Sequence, residues 1–207
     1  MDGKAVEAFI RRYAELIAAH KEELTQLDAA IGDADHGTNM DRGMKAALEK
    51  LPSEGTPGDI LKAVAMALIS HVGGAAGPLY GTAFLRASQS LGNDREVSPE
   101  AMARAFAAAL KGIQDRGKAV LGDKTMVDAF QPAVEAMEKA LQEGKPWKEA
   151  LQAAYEAAKE GSDATIPLVA RKGRASYLGE RSAGHRDPGS LSTALLFEAA
   201  LILGDEP

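Results

Sequence analysis

The 207-residue chain carries 24 Lys plus Arg against 30 Asp plus Glu, and this net charge of −6 argues against binding to nucleic acid or to an anionic membrane. It contains no cysteine, which excludes disulfides, thiolate catalysis and Cys-based zinc or iron–sulfur sites. The length fits a single domain over residues 1–207. No stretch approaches the roughly 20 apolar residues that span a bilayer. The N-terminus lacks the pattern of a signal peptide, so we expect a cytoplasmic protein.

Helical periodicity dominates the sequence. Aromatic residues make up only 5% of the chain while alanine is abundant, which favours helices over strands. Apolar residues recur at three- and four-residue steps and predict about eight helices with no convincing strand pair. Short connections between them predict an all-α antiparallel bundle. Besides a short helical stretch near Leu24, the predicted helices begin, in chain order, near Val6, Met40, Asp59, Pro78, Ser98, Met126, Pro146 and Asp187.

Some predicted helix boundaries depend on single residues. Asp59 is expected to be the N-cap of its helix, and Asp163 the N-cap of a further short helix. Gly144 is expected to be the C-cap of the helix that begins near Met126. Pro132 lies inside that same helix and predicts a kink or a later start.

The connection Asp28–Asn39 is unusually acidic. Asp28, Asp33 and Asp35 place three carboxylates within eight residues, around a turn that contains Gly32. Such carboxylates would repel one another, and a hard divalent cation such as Mg²⁺, Mn²⁺ or Ca²⁺ would remove that repulsion. The alternative is a solvated acidic turn in which Asp33 caps a helix. His36 in the same turn could ligate a metal, contact a phosphate or act as a cap.

Three other connections also carry more polar chemistry than a simple turn needs. The glycines of segment 73–82 would let backbone N–H groups approach an anion at a helix start, or they form only a tight turn. In segment 122–126, Lys124 or Thr125 could contact phosphate, while Asp123 could be an N-cap. Segment 170–189 holds a basic cluster in an otherwise acidic chain, which suits phosphate or an acidic partner surface unless it is a solvated loop. Together, carboxylates, glycine-rich helix starts and guanidinium groups predict a Mg-nucleotide site for phosphoryl transfer at one end of the bundle.

Four motifs also resemble a known family. The segments are IGDADHGTNM, GGAAGPLYGTAFL, RGKAVLGDKTM and ARKGRASYLGERSAGHRDPGS, in this order between about Asp28 and Ser190. They resemble the nucleotide-binding L subunits of dihydroxyacetone kinases. The resemblance implies an eight-helix antiparallel, barrel-like bundle with ADP, or ATP, and two Mg²⁺ ions at one end.

The resemblance also implies a set of site residues. Asp28, Asp33 and Asp35 would be the Mg²⁺ ligands, and Arg174 would be the catalytic cation that stabilises the transferring phosphoryl group or fixes the diphosphate. Ala76 stands where the family pattern often has Ser, so only backbone contacts are expected there. The residues implied to border the nucleotide are His36, Gly37, Thr38, Asn39, Ala75, Ala76, Gly77, Gly117, Thr125, Met126, Arg174, Asp187, Pro188 and Gly189.

The family's activity implies partners. A separate K subunit would hold dihydroxyacetone, and a phosphohistidine subunit of the phosphotransferase system would recharge a retained ADP. In the alternative version, exchangeable ATP is the donor. A second alternative is a nucleotide-loaded module that binds a transcription regulator, and the expected assembly is a homodimer or a monomer within a hetero-complex. The Asp-His-Gly motif at 35–37 argues against a stand-alone kinase of the fatty-acid type. The all-carboxylate donor set argues against a metal-dependent phosphatase.

Overall fold

The computed structural model describes residues 1–205, and within them the chain is almost entirely helical. An isolated antiparallel bridge joins Asp2 to Glu96, and no strand is present in this range. Residues 1–205 form nine α-helices and two 3₁₀ segments, Arg174–Ser182 and Leu201–Gly204, one after another. The α-helices are α1 (Gly3–Ala19), α2 (Lys21–Ile31), α3 (His36–Lys50), α4 (Pro57–His71), α5 (Ala76–Leu91), α6 (Pro99–Gly117), α7 (Val127–Gln142), α8 (Trp147–Ala164) and α9 (Pro188–Ala200).

Eight of these helices form a closed ring. Each long helix packs against the next in the order α1, α3, α4, α5, α6, α7, α8, α9, and α9 returns to α1. The short helix α2 lies outside this order and packs on α3 and α9. The all-α, barrel-like arrangement of eight helices is therefore confirmed, with α2 as an additional ninth helix. Within residues 1–205, no helix is both long enough and apolar enough to cross a membrane.

Apolar and small side chains fill the ring. Phe106, Phe130 and Phe197 meet at its centre, with ring centroids 5.2 Å apart in both the Phe106–Phe197 and the Phe130–Phe197 pairs. Many of the buried core residues are alanines, whose small side chains let a chain so poor in aromatic residues bury a continuous core. Helices α7 and α8 approach so closely that a Cβ on Gly161 would collide with the backbone carbonyl of Asp128.

Several predicted helix boundaries need correction. Thr56 rather than Asp59 is the N-cap of α4, and the two residues form a capping box with Pro57 at the first helical position. The short helix predicted to start at Asp163 does not form, because α8 continues through that residue to Ala164.

The proline-containing helix α7 also differs from its prediction. Pro132 neither delays nor ends α7, which continues from Val127 through it. Proline cannot donate to the carbonyl of Asp128, and that carbonyl faces Gly161 of α8. The C-cap is Glu143, and Gly144 follows at φ +77°, a conformation that suits glycine.

The ring brings alternate connections to the same end. Residues in or directly beside the links α2–α3, α4–α5, α6–α7 and α8–α9 line one cleft. At the other end, the N-terminal residues Asp2 and Gly3 share a shallow cleft with the α3–α4 loop and with Arg95 of the α5–α6 loop. The four polar connections of the sequence are thus the four that meet at one end of the bundle.

Candidate active site

Three carboxylates converge where α2 passes into α3. One oxygen from each of Asp28, Asp33 and Asp35 lies within 4.8 Å of the others. Asp28 Oδ2 also accepts hydrogen bonds from the backbone N–H groups of Asp35 (2.8 Å) and His36 (3.1 Å). Asp28 therefore caps the start of α3, and the alternative in which Asp33 is the cap is wrong. The capping bonds hold the carboxylate of Asp28 in place beside the other two.

The turn between the helices requires an unusual backbone. Ala34 has φ +61°, a left-handed conformation that a β-carbon disfavours, and it separates the two clustered carboxylates of Asp33 and Asp35. A Cβ on Gly32 would collide with Oδ1 of Asp28. Backbone strain of this kind persists when the surrounding structure imposes it, and it often marks a functional site.

Asp35 is perturbed by its two neighbours in the cluster. Burial raises the pKa of Asp35, and hydrogen bonding and charge repulsion from Asp33 and Asp28 raise it further. Three clustered carboxylates that offer only oxygen donors match what Mg²⁺ or another hard divalent cation requires. The donor set therefore fits the expected metal.

Arg174 reaches this cluster from the α8–α9 connection. Its Nε lies 3.1 Å from Oδ2 of Asp33, while 71% of its side chain remains exposed. An exposed ion pair contributes little to stability, so the guanidinium can change partners at low cost. The structure thus places the predicted catalytic cation directly beside the predicted metal ligands.

A cleft of about 410 Å³ adjoins the cluster, with His36 on its wall. This volume is within the range of about 300–1,000 Å³ that is typical of small-molecule sites. Seven of the predicted residues line it: His36, Ala75, Ala76, Gly117, Thr125, Met126 and Gly189. Nine others line it as well: Pro78, Leu79, Tyr80, Ile113, Arg116, Ala119, Val127, Lys172 and Gly173. Leu79 and Ile113 belong to apolar helix stripes, so their pattern alone indicated only a core role.

The remaining predicted nucleotide residues are not among those lining the cleft in the part of the chain described. Gly37 and Gly77 are packing residues, since a Cβ on them would collide with the carbonyls of Lys21 and Val72. Asn39 Oδ1 accepts a hydrogen bond from Arg42 at 2.8 Å. The others among them are Thr38, Arg174, Asp187 and Pro188.

The start of α5 can still receive an anion at this end. Helix α5 begins with Ala75 as N-cap, and no side chain caps it. The first N–H groups of a helix have no intrahelical acceptor, so those of α5 remain available to a negatively charged ligand. The small side chains of Ala75 and Ala76 leave the cleft open beside them.

His36 is the end of a buried polar network that the sequence did not reveal. Its Nε2 lies 2.9 Å from Ser192 Oγ, which is 2.6 Å from the hydroxyl of Tyr80. Tyr80 also contacts Thr193 Oγ1 at 3.1 Å. Burial lowers the pKa of His36 to about 4, so the imidazole is neutral near pH 7. It can therefore offer a fixed hydrogen bond at the cleft but no positive charge.

Asp187 is the N-cap of α9, directly before its first residue Pro188. Its Oδ2 accepts the N–H of Ser190 at 2.8 Å and so caps the helix. Burial raises the pKa of Asp187 to about 7, against a usual value of 3.8. The nearby carboxylates of Asp128 and Asp28 contribute to the rise.

Lys124 and Asp123 do not have the roles considered from the sequence. Only 2% of Lys124 is exposed, and its ammonium binds backbone carbonyls in the interior, so it does not line the cleft. Asp123 accepts the N–H of Val120, while Asp128 accepts those of Gly122 and Thr125 ahead of α7. These hydrogen bonds hold the connection between α6 and α7 in place.

Comparisons with known proteins agree with this architecture. A family model described as the DAK2 domain matches residues 30–201. The "PEP-dependent dihydroxyacetone kinase, ADP-binding subunit DhaL" of Escherichia coli K12 is 42% identical over 200 residues, covering 96% of this chain and 95% of the relative. The corresponding subunit of kinase 1 from Listeria innocua is 43% identical over 197 residues, covering 93% of this chain and 92% of the relative.

Solved structures give the same result. The dihydroxyacetone kinase of C. freundii in its native form superposes with a TM-score of 0.72 at 25% identity. The match covers 97% of this chain but only 34% of that longer one. The same enzyme in complex with AMP-PNP and Mg²⁺ gives a TM-score of 0.69 at 26% identity, again covering 97% of this chain and 34% of that one. The chain therefore belongs to the DAK2 domain family.

Proposed function

We propose that this chain is the nucleotide-binding subunit of a dihydroxyacetone kinase. It would transfer a phosphoryl group from its bound nucleotide to dihydroxyacetone held on a separate K subunit. The observation that carries the proposal is the convergence of Asp28, Asp33 and Asp35 within 4.8 Å beside the cleft. That convergence occurs in a chain spanning 95% of a relative described as an ADP-binding kinase subunit.

The acidic cluster is the proposed metal site. Asp28, Asp33 and Asp35 would hold Mg²⁺, and we propose two ions. The related structure contains Mg²⁺ together with a nucleotide analogue, which supports the identity of the metal. When bound, Mg²⁺ supplies positive charge that offsets the charge of the phosphate oxygens. The backbone N–H groups of Asp35 and His36 donate to Asp28 and so fix the orientation of its carboxylate before any ligand arrives.

The cleft is the proposed nucleotide site. Its largely apolar wall, including Leu79, Ile113 and Met126, suits a base and ribose, and the uncapped start of α5 suits the phosphates. His36 offers a neutral hydrogen-bonding group, and Arg174 would move from Asp33 to the phosphate side. We retain the other predicted contacts as proposals: Gly37, Thr38, Asn39, Ala75, Ala76, Gly77, Gly117, Thr125, Asp187, Pro188 and Gly189.

The proposed phosphoryl donor is a phosphohistidine subunit of the phosphotransferase system that recharges bound ADP. Identity to the PEP- or PTS-dependent ADP-binding subunits is 40–43%. Identity to L-erythrulose kinase, D-erythrulose kinase and triokinase/FMN cyclase is 31–36%, and this chain covers only about a third of each. The comparison favours retained ADP over exchangeable ATP. We also propose a cytoplasmic location.

Mass spectrometry of the denatured protein tests both the proposed metal site and the proposed retention of ADP. The chain is purified without added nucleotide, and we expect it to release ADP in near-stoichiometric amount. The variant Asp33→Ala/Asp35→Ala should release none, while Asp94→Ala, an exposed carboxylate on the α5–α6 loop, should behave as the parent. An empty parent that binds ATP reversibly would favour the exchangeable version. Unchanged Mg-ADP binding and phosphoryl transfer in the double variant would refute the proposed site.

A further inference from the structure

A buried ammonium group lies under the basic connection between α8 and α9. Lys124 is 2% exposed, and its Nζ donates to the backbone carbonyls of Thr165 (2.8 Å), Leu168 (2.9 Å) and Ser182 (2.9 Å). The carbonyl of Ile166 is a fourth neighbour at 3.3 Å. An ammonium has three protons, so the three short bonds use them all. Within residues 1–205, no carboxylate lies within salt-bridge distance of this charge.

The four carbonyls belong to the two ends of one loop. Thr165, Ile166 and Leu168 follow α8 directly, and Ser182 ends the 3₁₀ segment that precedes α9. The ammonium therefore closes the loop between Leu168 and Ser182 at its base. The hydroxyl of Ser182 strengthens the closure, since it accepts the N–H of Ala170 at 2.8 Å.

This loop forms one side of the candidate site. Lys172 and Gly173 line the cleft, and Arg174 contacts Asp33 in the acidic cluster. On the other side of Lys124, the next residues in the chain are Thr125 and Met126, which also line the cleft. The backbone of Lys124 thus leads into one wall of the cleft, at Thr125, and its side chain holds the loop that forms another wall.

The backbone of Lys124 shows that this placement is imposed. Its φ is +66°, a left-handed conformation that a residue with a β-carbon disfavours. A buried charge is also unfavourable unless it is compensated, and here carbonyl dipoles provide the compensation. Rings of backbone carbonyls are how proteins bind a bare monovalent cation such as K⁺.

We propose that Lys124 is a positioning residue whose ammonium serves as a built-in monovalent cation. It fixes the basic loop against the start of α7 so that the nucleotide cleft and Arg174 are in place before ligand binds. The expected change in affinity for Mg-ADP rests on the proposed nucleotide-binding function. The anchoring of the loop itself can be measured without any nucleotide.

Two variants separate the charge of Lys124 from its volume. Lys124→Ala keeps the β-carbon, and hence the backbone strain, but opens a space beneath the carbonyls. Lys124→Met fills that space without charge. Lys139→Ala removes an exposed lysine from α7 and is the matched control. Each protein is first freed of retained nucleotide with EDTA and gel filtration. It is then titrated with Mg-ADP in sodium buffer and, separately, digested with trypsin without nucleotide; the trypsin sites in the loop are Arg171, Lys172, Arg174 and Arg181.

The proposal predicts a specific chemical rescue. Both Lys124 variants should bind Mg-ADP at least about tenfold more weakly than the parent and should be cut faster in the loop. Methylammonium, which reproduces the lost end of the side chain, should restore affinity and trypsin resistance to Lys124→Ala but not to Lys124→Met. Tetramethylammonium at the same concentration should restore neither, since it has no N–H to donate. General loss of stability would not respond to one cation in this way.

Two results would overturn the inference. The first is parental affinity and parental trypsin resistance in Lys124→Met, which decides the question even where Lys124→Ala does not fold. The second is a folded Lys124→Ala protein whose defects methylammonium does not reverse. A parent protein that fails to bind Mg-ADP would refute the proposed function instead, and the trypsin comparison would still test the anchoring.

Discussion

Replacing Asp35 with Asn is expected to stabilise the metal-free protein while removing its response to Mg²⁺. The side chain of Asp35 makes no capping hydrogen bond, and its backbone N–H donates to Asp28 in either variant. Asparagine is also a good N-cap residue. Its amide can donate to the neighbouring carboxylates that share hydrogen bonds with Asp35, so the substitution removes repulsion while a hydrogen-bond donor is kept.

The size of the effect follows from the spacing of the charges. Two unit charges 4.8 Å apart repel by about 0.9 kcal/mol at the dielectric of water and by about 3.5 kcal/mol at an effective dielectric of 20. Asp33 is 37% exposed, so the lower end applies to its pairing with Asp35. Repulsion from Asp33 and Asp28 together then amounts to about 1–2 kcal/mol. For a chain of this length, that corresponds to a rise in Tm of about 2–8 °C.

Thermal unfolding followed by circular dichroism at neutral pH measures both effects. In EDTA, Asp35→Asn should melt above the parent. In Mg²⁺, the parent should gain stability and the variant should gain little, so that the difference in Tm between them narrows or changes sign. Asp94→Asn, an exposed change of the same charge, is the control. A lower Tm for Asp35→Asn in EDTA, or equal stabilisation of both proteins by Mg²⁺, would refute the repulsion argument.

Three further substitutions test other parts of the account. Asp187→Asn should raise the free energy of unfolding above that of the parent, and this gain should grow between about pH 4 and about pH 7. The native carboxyl has a raised pKa of about 7, so the parent loses stability as the pH rises through that range. Urea unfolding should show a gain at about pH 8 that exceeds the gain at about pH 5 by at least about 1 kcal/mol; a gain independent of pH would show that the carboxyl is not perturbed. Gly161→Ala should destabilise by about 1–3 kcal/mol despite the better helix propensity of alanine, since its Cβ would collide with a carbonyl of α7. Gly73→Ala, whose Cβ would meet nothing closer than 3.8 Å, should change the free energy of unfolding little, and similar effects at both positions would contradict the packing argument. Arg174→Ala should leave that free energy within about 0.5 kcal/mol of the parent, because its ion pair with Asp33 is exposed, yet lower phosphoryl transfer about 10²-fold; unchanged transfer would remove Arg174 from the mechanism.

Hydrophobic periodicity was sufficient to predict the helices, but some of their boundaries depended on tertiary packing. Ser98 and Asp187 were predicted as helix starts because their side chains cap locally. Thr56 was missed because Asp59 is an equally suitable cap in isolation, and only the capping box shows which residue is first. Pro132 was expected to disturb α7, but the carbonyl it leaves without a helical donor lies against Gly161 of a distant helix.

The acidic part of the site was predictable because its carboxylates are close in sequence. The cleft was less so, since its apolar wall uses residues such as Leu79 and Ile113 that follow the same periodicity as the core. The role of Lys124 could not be predicted, because its four carbonyl partners are more than 40 residues away in the chain. A lysine beside Gly and Asp looks like a phosphate ligand until the fold shows that it is buried.

Reconstituted phosphoryl transfer tests the central claim most directly. The chain, carrying only its stoichiometric ADP, is mixed with a dihydroxyacetone-loaded K subunit, the phosphohistidine subunit with its upstream carriers, and phosphoenolpyruvate. We expect many turnovers of dihydroxyacetone phosphate per chain without added ATP, and loss of turnover in the Asp33→Ala/Asp35→Ala variant. Product formed only when ATP is supplied continuously, or equal product from the double variant, would contradict the account.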